Sequence, residues 1–221
     1  MNERCPDWLE EDTEGTEEQL RLIKQRLNSV LEGIIKRERR QFPTSELVRS
    51  WHKSIFGQLV PVPYYAGGFR NDNPEEPCLQ DYDVVVGPIS HPISGVPSKE
   101  VLLSVETFFK ELKSNLLQLD KATQQGSHLE ASEIDKLASL AAWAHGEWVR
   151  IHPFANGNGR TARLLANYVF IRYDFGPVLR LRPRPDEPYA QAAALSMARG
   201  DHEPMKTLLL DLLEKALRES D

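Results

Sequence analysis

Apolar residues recur at spacings of three and four along most of the chain, the period of an amphipathic helix and not the two-residue alternation of a strand. The first stripe is Leu20, Ile23, Leu27, Val30, Leu31, Ile34 and Ile35, introduced by Thr16 with Gln19 three residues on, a box-like N-cap. It runs into the basic residues 36–40, read as a solvated helix end, and stops before Pro43. A second stripe follows the cap at Thr44 (Leu47, Val48, Trp51, Ile55, Phe56) and closes at Gly57. A third begins at residue 98 (Val101, Leu102, Val105, Phe108, Phe109, Leu112, Leu116, Leu119) and meets a polar break at residues 124–128. A fourth opens at Ser132 and carries Ile134, Leu137, Ala138, Ala141, Ala144, Trp148 and Val149 to Ile151. Residues 161–173 are apolar nearly all round, which predicts a helix through the middle of the fold. Residues 189–199 and 203–218 form the last two helices, with Met197, Leu208, Leu209, Leu212 and Leu213 as core. Only Val84, Val85 and Val86, in the proline-rich stretch 71–97, read as β. The expected class is mainly α, a helical bundle around one buried helix.

Composition narrows this picture. With 221 residues, 40% of them apolar, the chain is long enough for one well-buried domain. We expect a frayed lead-in over 1–15, a helical segment over 16–42 and a core over 43–221 that forms one unit with that segment. A net charge of −6 argues against general nucleic-acid affinity. No run approaches the length of a membrane span, and the acidic start lacks a signal peptide's apolar stretch. Cys5 and Cys78 show neither metal-ligand spacing nor a disulfide framework, so a reduced, cytoplasmic protein is expected.

The chemistry concentrates in residues 152–163, His-Pro-Phe-Ala-Asn-Gly-Asn-Gly-Arg-Thr-Ala-Arg, between the fourth and fifth helices. Gly157 and Gly159 permit a tight turn that presents backbone N–H groups at a helix start, where the helix dipole also favours an anion. Arg160 and Arg163, three apart, share one face of the first turn, within reach of an oligophosphate. His152, with an ordinary pKa of ~6.5, stands at the other lip as a candidate general base. A Walker loop is excluded, since no Gly-x-x-x-x-Gly-Lys-Ser/Thr run occurs. His52, among apolar neighbours, reads as a packing histidine, and His145 as core.

This run resembles the signature of the Fic family, His-x-Phe-x-Asp/Glu-Gly-Asn-Gly-Arg-x-x-Arg, at His152, Phe154, Gly157, Asn158, Gly159, Arg160 and Arg163, with Asn156 as the departure. Residues 66–70, Ala-Gly-Gly-Phe-Arg, and the pair Gly200-Asp201 after Tyr189 are also similar to family motifs. The resemblance implies the Fic fold with a small β-hairpin flap, in which Val84, Val85 and Val86 offer an open edge to a target segment. It implies transfer of AMP from ATP to a Ser, Thr or Tyr hydroxyl of a target protein. His152 would be the base, and Gly157, Asn158, Gly159, Arg160 and Arg163 would hold the phosphates. Phe154 would be a wedge fixing the turn. Mg²⁺ or Mn²⁺ would be the accompanying ion, weakly held because Asn156 replaces a carboxylate. Ala198 stands where many relatives meet the base with Asn. A homo-oligomer is compatible with all of this.

Asn28-Ser29-Val30-Leu31-Glu32-Gly33 resembles the inhibitory helix of the family. On that reading Glu32, with Ser29 and Gly33, holds Arg163 away from the terminal phosphate. Two alternatives to transfer follow from the same residues. One is the reverse hydrolysis, with Glu32 positioning water; the other is a nucleotide-binding scaffold without catalysis, suggested by Asn156 and Ala198.

Overall fold

The computed structural model describes residues 5–8, 15–87, 90, 92–123, 129–181 and 187–219. Among the described residues seven α-helices carry the fold: α1 (Glu17–Gly33), α2 (Ser45–Phe56), α3 (Val101–Thr123), α4 (Ala131–Ile151), α5 (Asn158–Arg172), α6 (Glu187–Arg199) and α7 (Glu203–Arg218). The two short strands β1 (Val85–Val86) and β2 (Ile93–Ser94) pair antiparallel, Val85 opposite Ser94 and Val86 opposite Ile93. None of the described helices is long and apolar enough to cross a membrane.

The local signals act as read. Thr16 accepts from the Gln19 N–H while the Gln19 side chain takes the Thr16 N–H at 3.1 Å, a complete capping box. Thr44 caps α2 through the Leu47 N–H at 3.2 Å. α1 ends sooner than the stripe implies, widening into a π-helical turn at Ile34–Glu38. The basic run beyond it is tied down, since Arg39 and Arg40 both pair with Asp174 at the end of α5.

α5 is the axis of the molecule. Apart from Gly159, all of its residues are buried, and it packs most extensively on α4, which in turn meets α3, α6 and α7. Enclosed on every side, it carries apolar side chains on every face and so no clear amphipathic stripe, with Asn158, Arg160, Thr161, Arg163, Asn167 and Arg172 buried among them. Its one central amide is fully used: Asn167 Nδ2 donates to Leu179 O at 2.7 Å, and Oδ1 accepts from Val178 and Leu179. That grip fixes the extended segment after α5 beside the site.

Two expectations are overturned. The lead-in is not frayed over residues 5–8: Trp8 is 5% exposed, packed against His52, Phe56 and Tyr65. Cys5 and Cys78 are not unpaired thiols but form a disulfide. They lie 73 residues apart, and only the fold brings their Cα atoms to 5.3 Å, so spacing alone had no way to pair them. Residues 88, 89 and 91, the polar break 124–128 and the prolines at 183 and 185 lie outside the described residues.

Candidate active site

The signature residues converge. His152, Asn156, Gly157, Asn158, Gly159, Arg160 and Arg163 line one cavity of about 420 Å³, closed by Val86, Gly87 and Ile93 of the hairpin and by α6. Val85 on the hairpin is 59% exposed, so the strand pair borders the site while keeping an accessible face. Val84 lies just before β1, its carbonyl accepting from the Gly95 N–H at 2.9 Å.

α4 ends at His152 in the left-handed conformation, φ 53°, uncommon for a residue with a Cβ. Arg70 makes this conformation the preferred one. Its buried guanidinium donates to the carbonyls of His152 (2.8 Å), Ile151 (2.9 Å), Val96 (2.8 Å) and Tyr82 (2.8 Å), and its own N–H meets Pro153 O at 2.8 Å. One side chain thereby joins the end of α4 to both flanks of the hairpin. Burial lowers the Arg70 pKa to about 10, with Asp83 opposing, so it remains a cation at neutral pH.

The imidazole of His152 is held by its far nitrogen. Nδ1 lies 2.9 Å from Val149 O; a carbonyl only accepts, so Nδ1 carries the proton and Nε2 keeps a lone pair. Burial, with Arg70 nearby, lowers the pKa to about 4 against the bond to Val149, so the ring is neutral at pH 7.

The turn after it is built to present N–H groups. Phe154 is fully buried and stacks on His52, ring centroids 3.8 Å apart, as a wedge should. Asn158 Oδ1 accepts from Phe154 N (2.9 Å) and Nδ2 donates to Phe154 O (2.8 Å). Its amide thereby closes the turn, using one of the two Nδ2 hydrogens, while Asn158 also lines the cavity. Gly157 caps α5 at φ 79°, and a Cβ there would lie 2.4 Å from Phe56. α5 begins three residues before the expected 161, so the N–H groups of Asn158 and Gly159 head the helix and are offered to an anion. His52 supports the turn from behind: Nδ1 accepts from the Gly67 N–H at 3.0 Å, so Nε2 donates to Asn156 O at 3.0 Å.

Arg160 and Arg163 both reach the cavity from the first turns of α5. Arg163 donates to Tyr189 Oη at 3.0 Å and to Leu181 O at 3.1 Å. The Tyr189 hydroxyl then gives its own proton to His145 Nε2, 2.9 Å away. Burial above all, then Arg163 and His202, brings the His145 pKa to about 3, leaving it a neutral acceptor.

Glu32 does not meet Arg163. Its side chain is 64% exposed and pairs with Lys36 at 2.9 Å, which also lowers its pKa. Ser29 is exposed as well, and Gly33 is buried, with Arg37 over it. The inhibitory contact is corrected: the (i, i+4) lysine takes the carboxylate, and Tyr189 with Leu181 takes the arginine.

Asn156 does not fit a metal ligand. Nδ2 donates to Trp8 O at 2.9 Å and Oδ1 accepts from Gly157 N at 2.5 Å. No carboxylate lines the cavity among the described residues, and no cluster of three or more metal-binding side chains occurs there. Among the described residues, the cavity lining offers a hard divalent ion no anionic oxygen.

Comparison with known proteins agrees with this geometry. Residues 42–170 match the Fic/DOC family. Protein adenylyltransferase Fic of Drosophila persimilis is 40% identical over 80 residues, 36% of this chain and 15% of that protein; the Drosophila melanogaster protein gives 40% over 80 residues and 16% of its length. The matched stretch is thus a small part of these relatives. A Fic domain signalling protein from Bacteroides thetaiotaomicron superposes with a TM-score of 0.62 at 19% identity, covering 87% of this chain and 66% of that one. BepC of Bartonella tribocorum, with bound AMPPNP, gives 0.56 at 18%, covering 90% and 89%. Fic-1 of C. elegans gives 0.59 at 22%, covering 90% and 49%. With its signature assembled on that fold, the chain belongs to the Fic/DOC family.

Proposed function

We propose that this chain is a protein adenylyltransferase, moving AMP from ATP to a hydroxyl side chain of a target protein. The observation that carries the reading is the free Nε2 of His152 in the same cavity as the helix-start N–H groups, Arg160 and Arg163. Nε2 takes the proton of the attacking hydroxyl, whose oxygen bonds to the α-phosphorus as the bond to pyrophosphate breaks. The Asn158 and Gly159 N–H groups and Arg160 stabilise charge on the transferring phosphate, and Arg163 holds the terminal phosphates. Asn158 and Phe154 hold the turn. The exposed hairpin edge beside the cavity suits a target segment added as a strand.

AMPPNP bound to the BepC relative supports a nucleotide in this fold. No step is assigned to a protein-held metal, because the described cavity lining offers no carboxylate to hold one. Autoinhibition or hydrolysis through Glu32 is not part of the reading, since its carboxylate lies outside the cavity lining. One other reading has an observation in its favour: nucleotide binding without transfer, because Asn156 is engaged by Trp8.

Incubation of the protein and candidate targets with ATP labelled on the α-phosphate tests both. Label on protein with wild type and none with His152→Ala supports transfer. Bound nucleotide with no transferred label supports the scaffold.

A further inference from the structure

The disulfide and Trp8 lie beside the site without belonging to the family signature. Only Pro6 and Asp7 separate Cys5 from Trp8, a span of about 10 Å when extended. Along it, Tyr65 Oη donates to Pro6 O at 3.1 Å, and Trp8 O accepts from Asn156 Nδ2 at 2.9 Å. The Trp8 ring packs edge-on to Phe56 and His52, with centroids 5.1 and 5.7 Å away. These are the two side chains that crowd the Cα of Gly157. The strap thus backs the phosphate-binding turn twice, once through the Asn156 amide and once through the ring.

We infer that Trp8 is a positioning residue for the nucleotide site and that the Cys5–Cys78 disulfide is the latch that keeps it there. The buried Trp8 Nε1 has no hydrogen-bond partner among the described residues, which counts against docking without a tether. The tether offsets this by holding Trp8 at high local concentration. Cys5 is exposed and Cys78 partly so, which leaves the bond open to attack. A dithiol reductant would give up two electrons and two protons, becoming a disulfide while Cys5 and Cys78 become thiols. Trp8 then leaves, Asn156 loses its acceptor, and the 156–159 turn loosens. In a compartment poised by thiols the loosened form is the resting one. The nucleotide half of this inference rests on the function proposed above.

Hydrogen exchange of the 154–160 peptide and the Kd of a non-hydrolysable ATP analogue are measured with and without dithiothreitol. Reduction is expected to speed exchange in that peptide and to raise Kd about fivefold or more. The Cys5→Ser/Cys78→Ser protein should behave as reduced and ignore the reagent. Trp8→Ala should match it, whereas Trp8→Phe, which keeps the ring packing and the backbone carbonyl, should restore oxidised behaviour. Two titratable thiols in protein handled without reductant would overturn the latch. So would exchange that changes only at the strap, or a lower melting temperature with unchanged Kd. An oxidised protein that binds no nucleotide would count against the proposed function, and exchange at 154–160 alone would then decide the positioning role.

Discussion

The Nδ1 of His152 sits 2.9 Å from the carbonyl of Val149, one turn back in the same helix. That contact decides the tautomer and points Nε2 into the cavity, so the base is oriented by backbone and needs no carboxylate partner. His152→Asn should retain a donor toward Val149 and tolerate the left-handed backbone, yet lack the base. Transfer is expected to fall roughly 10²- to 10⁴-fold with nucleotide Kd little changed, read by single-turnover kinetics beside calorimetry. A parallel loss of binding would show that the ring grips the nucleotide instead.

Arg70 is a stronger structural constraint than its position in a loop suggests. Its side chain bonds four carbonyls from three segments, so Arg70→Met would leave buried acceptors unmatched. A loss of about 3 kcal/mol or more in denaturant unfolding is expected. Arg70→Lys should recover only part of it, because an ammonium cannot reproduce the planar fork.

Tyr189→Phe removes the hydroxyl that joins Arg163 to His145. Arg163 keeps Leu181 O but loses its lateral restraint. The nucleotide KM should rise about tenfold, as for about 1.4 kcal/mol of lost positioning, with a smaller change in kcat. Equal losses in both arms of a denaturation and a kinetic experiment would point to general unfolding.

The signature was legible because its chemistry is local. Glycines, arginines and a histidine at fixed spacing need only a turn and a helix start to act together, and both are written in the same twelve residues. The buried axis was legible for a related reason, since a helix enclosed all round leaves no polar stripe. What stayed hidden depends on contacts at long range. Trp8 meets Asn156 across 148 residues and Cys5 meets Cys78 across 73, and no periodicity carries either. Glu32 failed differently: the motif has a family likeness, but Lys36, one turn on, supplies a nearer cation.

Glu32→Ala is accordingly expected to leave the transfer rate within about twofold of wild type, since an exposed (i, i+4) pair contributes little. A large gain in label transfer would reinstate the inhibitory contact.

Acid should destabilise this protein early, and the reason lies in three neutral imidazoles. Burial brings His52 and His145 to about 3 and His152 to about 4. Each folded value is depressed below the unfolded one near 6.5, so between the two the unfolded chain binds more protons. Stability is fully present above pH ~6.5 and drains as pH falls toward those values, by up to about 1.4 kcal/mol per pH unit for each ring. His152 also titrates in the kinetics: kcat/KM should show an acid limb near pH 4, while bound phosphates, favouring the imidazolium, should move the limb in kcat upward. Urea midpoints that stay flat from pH 7 to 5 would contradict the buried neutral rings. A kcat limb at or below that of kcat/KM would contradict phosphate beside His152.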